Sequence, residues 1–397
     1  MQLLYHNIPV DNGDCHFIRL IDGKDQYVIM VDCGLFNNPV QAYIESECRK
    51  HIDILIVTHI DEDHIKGVIT MLNKYKDDDA FQIDKIWFNS YQSTGEEETR
   101  KLTPEETEVI LRLKSDLKHK LKPYIGEIST NQSMTLAETI LSVPKFEKAW
   151  NLRAITTSTP VQRLGRWGKI SFVSPSPERL KDLMKDYAKW IYEHLYRKLG
   201  ANEKYEGSEN IFEILVQYAD VNKHILSEGQ VSAAETLTES LLWEKSKPSR
   251  LDDSPTNGSS IAFVWKKGRH RILMLGDAWA DEVTRGLLKA FSKGRYPLLF
   301  DFVKVSHHAS AANTTSTLLD HIESMDWFIS GYTNSKKEHL KTVSRIILQP
   351  FISNRVNMRN LHFNCKTDDY KSLSESDEAL KNSLHFSVDN QTDYEIL

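Results

Sequence analysis

Short apolar runs rich in β-branched and aromatic residues, bounded by turn residues, recur along this chain. In the first third they are C-H-F-I-R-L, Y-V-I-M-V-D-C-G and I-D-I-L-I-V-T-H, separated by turns such as D-G-K-D. Residues 65–75 then take helical spacing, and F-Q-I-D-K-I-W-F-N-S returns to strand. Strand signals resume downstream in S-S-I-A-F-V-W, R-I-L-M-L-G-D-A, L-L-F-D-F-V-K-V-S-H-H and M-D-W-F-I-S-G, with helical material between them. Strands alternating with helices on both sides of a long polar region predict an α/β protein.

That polar region, residues 178–253, carries helical patterns in L-M-K-D-Y-A-K-W-I-Y-E-H-L and A-A-E-T-L-T-E-S-L-L-W-E-K, with a flexible stretch expected around residues 200–210. It reads as a helical insertion, either a lid over a site or a docking surface for a protein partner. Thr103 as a cap and Pro104 in a first turn predict a surface helix between about Glu96 and Lys120. With 397 residues and 40% hydrophobic content the chain can bury a sizeable core. We expect one domain over residues 1–397 with the insertion inside it.

A net charge of −6 argues against coating nucleic acid or anionic membrane by bulk electrostatics, although a local basic groove stays open. Cys15, Cys33, Cys48 and Cys365 form no C-x-x-C pair, which points to a reducing compartment. M-Q-L-L-Y-H-N-I-P-V lacks the basic and apolar segments of a secretory leader, and no run nears the roughly 18 apolar residues of a bilayer span. A cytoplasmic location without membrane association is expected.

Three apolar runs end in residues that bind metals. T-H-I-D-E-D-H places His59, Asp61, Asp63 and His64 within one turn of a strand. L-M-L-G-D-A places Asp277 after another, and V-K-V-S-H-H-A-S places His307 and His308 after a third. A lone Asp there is usually a turn residue and a lone His a packed one. Three such ends suit a single centre, because divalent cations take several imidazole or carboxylate ligands at about 2.0 to 2.2 Å.

T-H-x-D-x-D-H-x-x-G, with the upstream N-G-D-C-H-F-I and V-I-M-V-D-C-G, resembles the metallo-β-lactamase superfamily. N-G-S-S-I-A-F, M-L-G-D-A and V-S-H-H-A-S are similar to its branch containing the metallo-hydrolase domain of bacterial DNA-uptake competence proteins. The resemblance implies an αββα sandwich with the centre at one edge. It implies that His59 and Asp61 hold a first metal, that Asp63, His64 and His308 hold a second, and that Asp277 bridges them. Asp32 would support the metal loop from behind, and His307 would be a supporting neighbour or substitute ligand.

The chain departs from the family in several places, among them Leu340, where proline usually follows the later histidine, here His339. Aspartate at Asp61 stands where most members have histidine. S-F-V-S-P-S-P offers only serines where a middle histidine is usual, and Ala309 replaces a common glycine. The expected cofactors are two divalent ions, zinc or manganese, with magnesium a third candidate.

Such a pair implies hydrolysis by an activated water, with Asp63 orienting it or accepting its proton. His339, in a segment similar to the competence-type pattern, is the candidate general acid or phosphate ligand. The expected function is a metal-dependent phosphodiesterase or nuclease acting on DNA, RNA or a nucleotide. The basic runs K-S-K-P-S-R and K-K-G-R-H-R could contact such a substrate, although charge runs are more often solvated turns. Hydrolysis of a small ester, thioester or lactone is the alternative, and a degenerate binding or regulatory subunit a third. Asn257, Ser259 and Ser260 could hydrogen-bond substrate or simply shape a turn, and Asp14 could line the site or shape its hairpin.

Overall fold

A computed structural model describes residues 1–11, 13–90, 99–100, 104, 108, 136–150, 153–183, 204–205, 237–331 and 339–396. The described residues build two large sheets. The first orders its strands Asp393–Glu395, Gln2–Asn7, His16–Asp22, Asp25–Val31, Ile54–Val57, Ile86–Phe88. The second runs Phe386–Asp389, Arg359–Phe363, Ile322–Ile329, Leu298–Lys304, His270–Met274, Ala262–Lys267, Lys169–Ser174, Gln162–Arg163. Both sheets are mixed. Antiparallel hairpins lead into parallel strands that need helical crossovers.

The two-residue repeat of the strands sets the layers. Ile29, Val31, Ile54 and Ile56 of the first sheet meet Phe263, Trp265, Ile272 and Met274 of the second in one buried cluster. Their alternates face outward: Val28, Met30, Leu55 and Val57 pack under helices Asn38–Ser46 and Glu62–Tyr75. Val264, Leu273 and Val303 pack under helices Ala280–Ala290 and His339–Leu348. The architecture is therefore the αββα sandwich.

One local reading changes and two turn readings become specific. The helix expected at 65–75 starts at Glu62, so Asp63 and His64 sit in its first turn instead of a loop, with Asp61 at the N-cap. Asn257 belongs to a short helical turn, Pro255–Gly258. The run K-K-G-R-H-R forms a hairpin between Ala262–Lys267 and His270–Met274, at the opposite end of the latter strand from Asp277, about 17 Å away. The surface helix expected near 96–120 and the region 200–210 fall almost wholly outside the described residues. Of the expected insertion, residues 178–183, 204–205 and 237–253 are described, including helix Glu239–Lys245. Among the described residues no helix is long and apolar enough to cross a membrane.

The end of the chain leaves one sheet for the other. Phe386–Asp389 extends the second sheet, whereas Asp393–Glu395 pairs with Gln2–Asn7 in the first. His362 joins them: Nδ1 lies 2.9 Å from Asp389 and Nε2 2.9 Å from Asp326, while the Tyr394 hydroxyl donates to Asp389 at 2.7 Å. Burial pulls the imidazole pKa down, but the hydrogen bonds and charges of Asp326 and Asp389 outweigh it, so the net shift is upward. A folded-state pKa raised above the unfolded value stabilises fully below about pH 6.5 and fades as pH rises through the folded value. His362→Gln is accordingly expected to lower the thermal midpoint most in mildly acidic buffer and progressively less toward about pH 9. Melting curves across that range check it; a pH-independent difference contradicts the charged pair.

Candidate metal centre

The centre forms where strand ends of both sheets meet. Asp32 leaves its strand at a φ of 57°, a left-handed conformation that aspartate tolerates better than most residues. Its Oδ1 accepts the Thr58 amide at 2.7 Å. Its Oδ2 accepts the Thr58 hydroxyl at 2.7 Å and faces His64 Nδ1 at 2.9 Å. One carboxylate thus fixes both the turn before His59 and the ring of His64.

Two glycines let the hairpin and helix meet. A Cβ on Gly34 would lie 2.1 Å from the Asp63 carbonyl oxygen and 2.8 Å from Gly13 Cα, and one on Gly13 would lie 2.2 Å from the same oxygen. Both obstacles are backbone, so the start of the helix would have to move. Gly34→Ala is expected to destabilise the fold by about 1–3 kcal/mol and to weaken cation binding through Asp63 and His64. Urea unfolding and a metal titration test the two effects separately.

Four imidazoles converge. His59 Nε2 lies 3.5 Å from Asp61 Oδ2 and 4.0 Å from Asp277 Oδ2, and His307 Nε2 lies 3.5 Å from that same Asp277 oxygen. His64 Nε2 is 3.5 Å from Asp277 Oδ1 and 3.8 Å from Asp63, whose other oxygen is 3.2 Å from His308 Nε2. Asp277 therefore divides the cluster. Oδ2 faces His59, beside Asp61, and His307, and Oδ1 faces His64, with Asp63 and His308 beyond.

Each Nδ1 faces an oxygen, within hydrogen-bond geometry for His59, His64 and His307 and as a looser ion-pair contact for His308. His59 faces the Thr58 hydroxyl oxygen at 3.0 Å, His64 faces Asp32, His307 faces Asn313 Oδ1 at 2.9 Å, and His308 lies 3.3 Å from Asp14 Oδ1. An Nδ1–H held this way leaves Nε2 with a lone pair aimed inward.

The donor set suits divalent cations. His59 Nε2, His64 Nε2, Asp61 Oδ1 and Asp277 Oδ1 are buried without a hydrogen-bond partner, which is costly unless something charged completes them. His59, His64 and Asp277 bring ligand atoms within 4.8 Å of one another, and so do Asp63, His64 and His308. Burial works against the charged form of His64, yet Asp277, Asp63 and Asp32 raise its pKa well above the usual imidazole value. Burial likewise opposes ionisation of Asp277, yet His307, His64 and His308 hold its carboxyl well below the ordinary range. A cation entering this field must displace imidazole protons, so affinity should fall as pH falls.

The turn His307–Ala309 runs through three consecutive left-handed residues, with φ of 48°, 49° and 61°. The His307 amide donates to the Gly276 carbonyl at 2.9 Å and the Ser306 hydroxyl to the Ala278 carbonyl at 2.8 Å, which pins the turn against the Asp277 loop. Ala309 is fully buried. Its methyl recovers about 0.8 kcal/mol of apolar burial, which offsets part of the about 1–2 kcal/mol of left-handed strain.

Residues singled out in the sequence thus separate. His59, Asp61, Asp63, His64, Asp277, His307 and His308 come together, with Asp32 behind them. His339 begins helix His339–Leu348, 2% exposed, its Nδ1 3.6 Å from Asp369 and its ring beside Phe363, so its described contacts lie apart from the cluster. Ser260 is fully buried and accepts the Asp277 amide at 3.0 Å, while Asn257 donates to Asp252 at 2.7 Å, so both brace the centre.

The sequence reading missed Asp252, Asn313 and Lys304. Asn313 donates to Asp252 at 2.7 Å and to the Asp277 carbonyl at 3.0 Å while receiving His307, and these bonds and His307 hold the Asp252 pKa down at about 2 despite burial. Asp252 sits in an ordinary polar turn, D-D-S-P, with no distinguishing signal. Lys304 did carry one, because a lysine between valines in F-V-K-V breaks an apolar run at the end of a strand.

Comparison with known proteins bears on the first part of this centre. Residues 8–79 match the Metallo-beta-lactamase superfamily. The matched segment contains Asp14, Asp32, His59, Asp61, Asp63 and His64. Among solved structures, the chain is similar to the metallo-beta-lactamase fold protein YhfI from Bacillus subtilis, with 10% identity, full coverage of both chains and a TM-score of 0.38. Curated proteins give no match.

Proposed function

We propose that this protein is a metal-dependent hydrolase that uses two divalent cations, and that its substrates are phosphodiesters of DNA, RNA or a nucleotide. The observation that carries the reading is the division of Asp277 between two groups of inward-facing imidazoles, with buried donor atoms left incomplete on both sides. His59, Asp61 and His307 would hold one cation. Asp63, His64 and His308 would hold the other, and Asp277 would be shared. His307 takes the part of the absent middle histidine.

Two bound cations supply a water of lowered pKa, about 7, and positive charge opposite the non-bridging oxygens of the substrate. The protein's own contribution is positional. Asp32, Thr58, Asn313 and Asp14 fix four imidazole rings before any ligand arrives, so little reorganisation remains. Asp63 is one-third exposed at its side chain, against 14% for Asp61 and 3% for Asp277, which makes it the carboxylate reachable by solvent and suited to orient a water or take its proton. The mixture of imidazole and carboxylate suits zinc or manganese better than magnesium.

A second reading, hydrolysis of a small ester, thioester or lactone, is favoured by one observation. The hairpin Lys266–Arg271 lies at the far end of its strands, and Lys304 is committed to Asp14. Labelled single- and double-stranded DNA and RNA, beside ester and thioester substrates, should be incubated with manganese, zinc or magnesium. Cleavage of nucleic acid by wild type but not by Asp63→Asn/Asp277→Asn supports the phosphodiesterase. Turnover confined to esters or thioesters replaces it with the second reading, and absence of cation binding removes both.

A further inference from the structure

We infer that Asp14 and Lys304, a buried ion pair joining the two sheets, act together as the positioning device for His308 and so set how tightly the second cation is held. The inference rests on the two-cation reading and goes beyond its ligand set.

Lys304 is the last residue of strand Leu298–Lys304 and is fully buried. Asp14 comes from the hairpin of the other sheet and is equally buried. Lys304 Nζ donates to Asp14 Oδ2, which also lies 3.3 Å from His16 Nε2. His16 in turn has its Nδ1 3.0 Å from the Tyr5 hydroxyl, so this side of the carboxylate is fully occupied. Oδ1 has no hydrogen-bond partner of good geometry, and its near neighbour is His308 Nδ1 at 3.3 Å. The backbone of Asp14 reaches the same set of ligands. Its amide donates to the Asp63 carbonyl at 3.2 Å, and its own carbonyl accepts from Gly34 at 2.9 Å.

A buried ion pair is a poor means of stabilising a fold, because desolvation of both charges offsets much of their attraction. The same carboxylate placed behind a ligating histidine has a clear use. It fixes Nδ1 as the donor, orients the ring and makes Nε2 a stronger ligand. Lys304 offsets a negative charge that would otherwise stand alone near Asp32, Asp63 and Asp277. His308 needs this support, since it sits in a left-handed turn and its other Nδ1 neighbour, Ser330, is 3.5 Å away.

The test uses the full chain and cobalt(II) as the probe. Asp14→Asn alone would strand a buried ammonium, so the decisive variant is Asp14→Asn/Lys304→Gln, which removes both charges together. Calorimetric titration is expected to show one of the two dissociation constants raised about 10–100-fold and the other changed by less than about threefold, with loss of the His308 signal assigning the weakened position. The exchangeable imidazole NH of His308, shifted by cobalt in the wild type, should disappear. Two dissociation constants within about threefold of wild type in the folded variant, with that NH retained, overturn the inference and leave the two-cation reading intact. Wild type that binds no cobalt overturns both. If the double variant does not fold, the wild-type imidazole ¹H–¹⁵N spectrum decides: a proton on His308 Nδ1 supports the role and a bare Nδ1 defeats it.

Discussion

Asparagine at position 277 is expected to abolish paired cation binding and lower hydrolysis by more than about 100-fold, a larger loss than removing a supporting residue causes. The substitution keeps volume and the buried environment, and the Ser260 hydroxyl still receives the backbone amide. It removes one of the charges that make the pocket attractive to cations. One oxygen also becomes an NH₂ facing either His59 and His307 or His64, where an acceptor is required. Metal content after dialysis and turnover of the best substrate should fall together. Retention of two cations by Asp277→Asn would place the shared ligand elsewhere.

Arg345→Met is expected to cost about 3–5 kcal/mol of stability, beyond the usual range for a single substitution, and to weaken the cation on the His307 side. Arg345 is 5% exposed and its guanidinium faces carbonyls and a hydroxyl. Nε donates to the Ser246 carbonyl at 3.0 Å, Nη1 to those of Ala311 and Thr314 at 2.7 Å each, and Nη2 to the Lys247 carbonyl at 2.7 Å and the Ser249 hydroxyl at 2.9 Å. Methionine fills similar space but strands these acceptors; the buried Thr314 carbonyl carries the full cost of about 1–3 kcal/mol, and the part-buried others, which water can reach, add less. The loop it clamps, 311–314, carries Asn313, which holds His307. Lysine is not expected to rescue, because a single ammonium cannot span the planar fork. Urea unfolding and cation titration of both variants provide the check; wild-type stability in Arg345→Met would refute the clamp.

Much of this was legible in the sequence because strands declare themselves by a period of two and because their ends carried unusual residues. T-H-I-D-E-D-H, L-M-L-G-D-A and V-S-H-H each named side chains that the fold brings to one place. The start of the helix was misjudged because apolar spacing begins only at Ile65. Asp61 as N-cap and acidic residues in the first turn are themselves a helix start signal, hidden there among candidate ligands. His339 follows the strand Ile322–Ile329 in the chain and stands in helix His339–Leu348 with its Nδ1 3.6 Å from Asp369. The supporting layer was beyond reach for a different reason. Asp14 and Lys304 are 290 residues apart, and Asp252 meets Asn313 across 61. Lys304 in its apolar run and Asp14 in its turn each carried a local hint, but no local pattern announces which distant residue either one meets.

His59, Asp61, Asp63 and His64 hang from one sheet, and Asp277, His307 and His308 from the other. Whatever occupies the space between them is therefore a rivet through the sandwich as well as a reagent. A ligand that requires both sheets in place adds its binding free energy to folding, about 2.7 kcal/mol when present at a hundred times its dissociation constant. The protein's working lifetime would then follow the metal supply of its surroundings. A chelator would withdraw that contribution and leave the shared apolar core to hold the two sheets together.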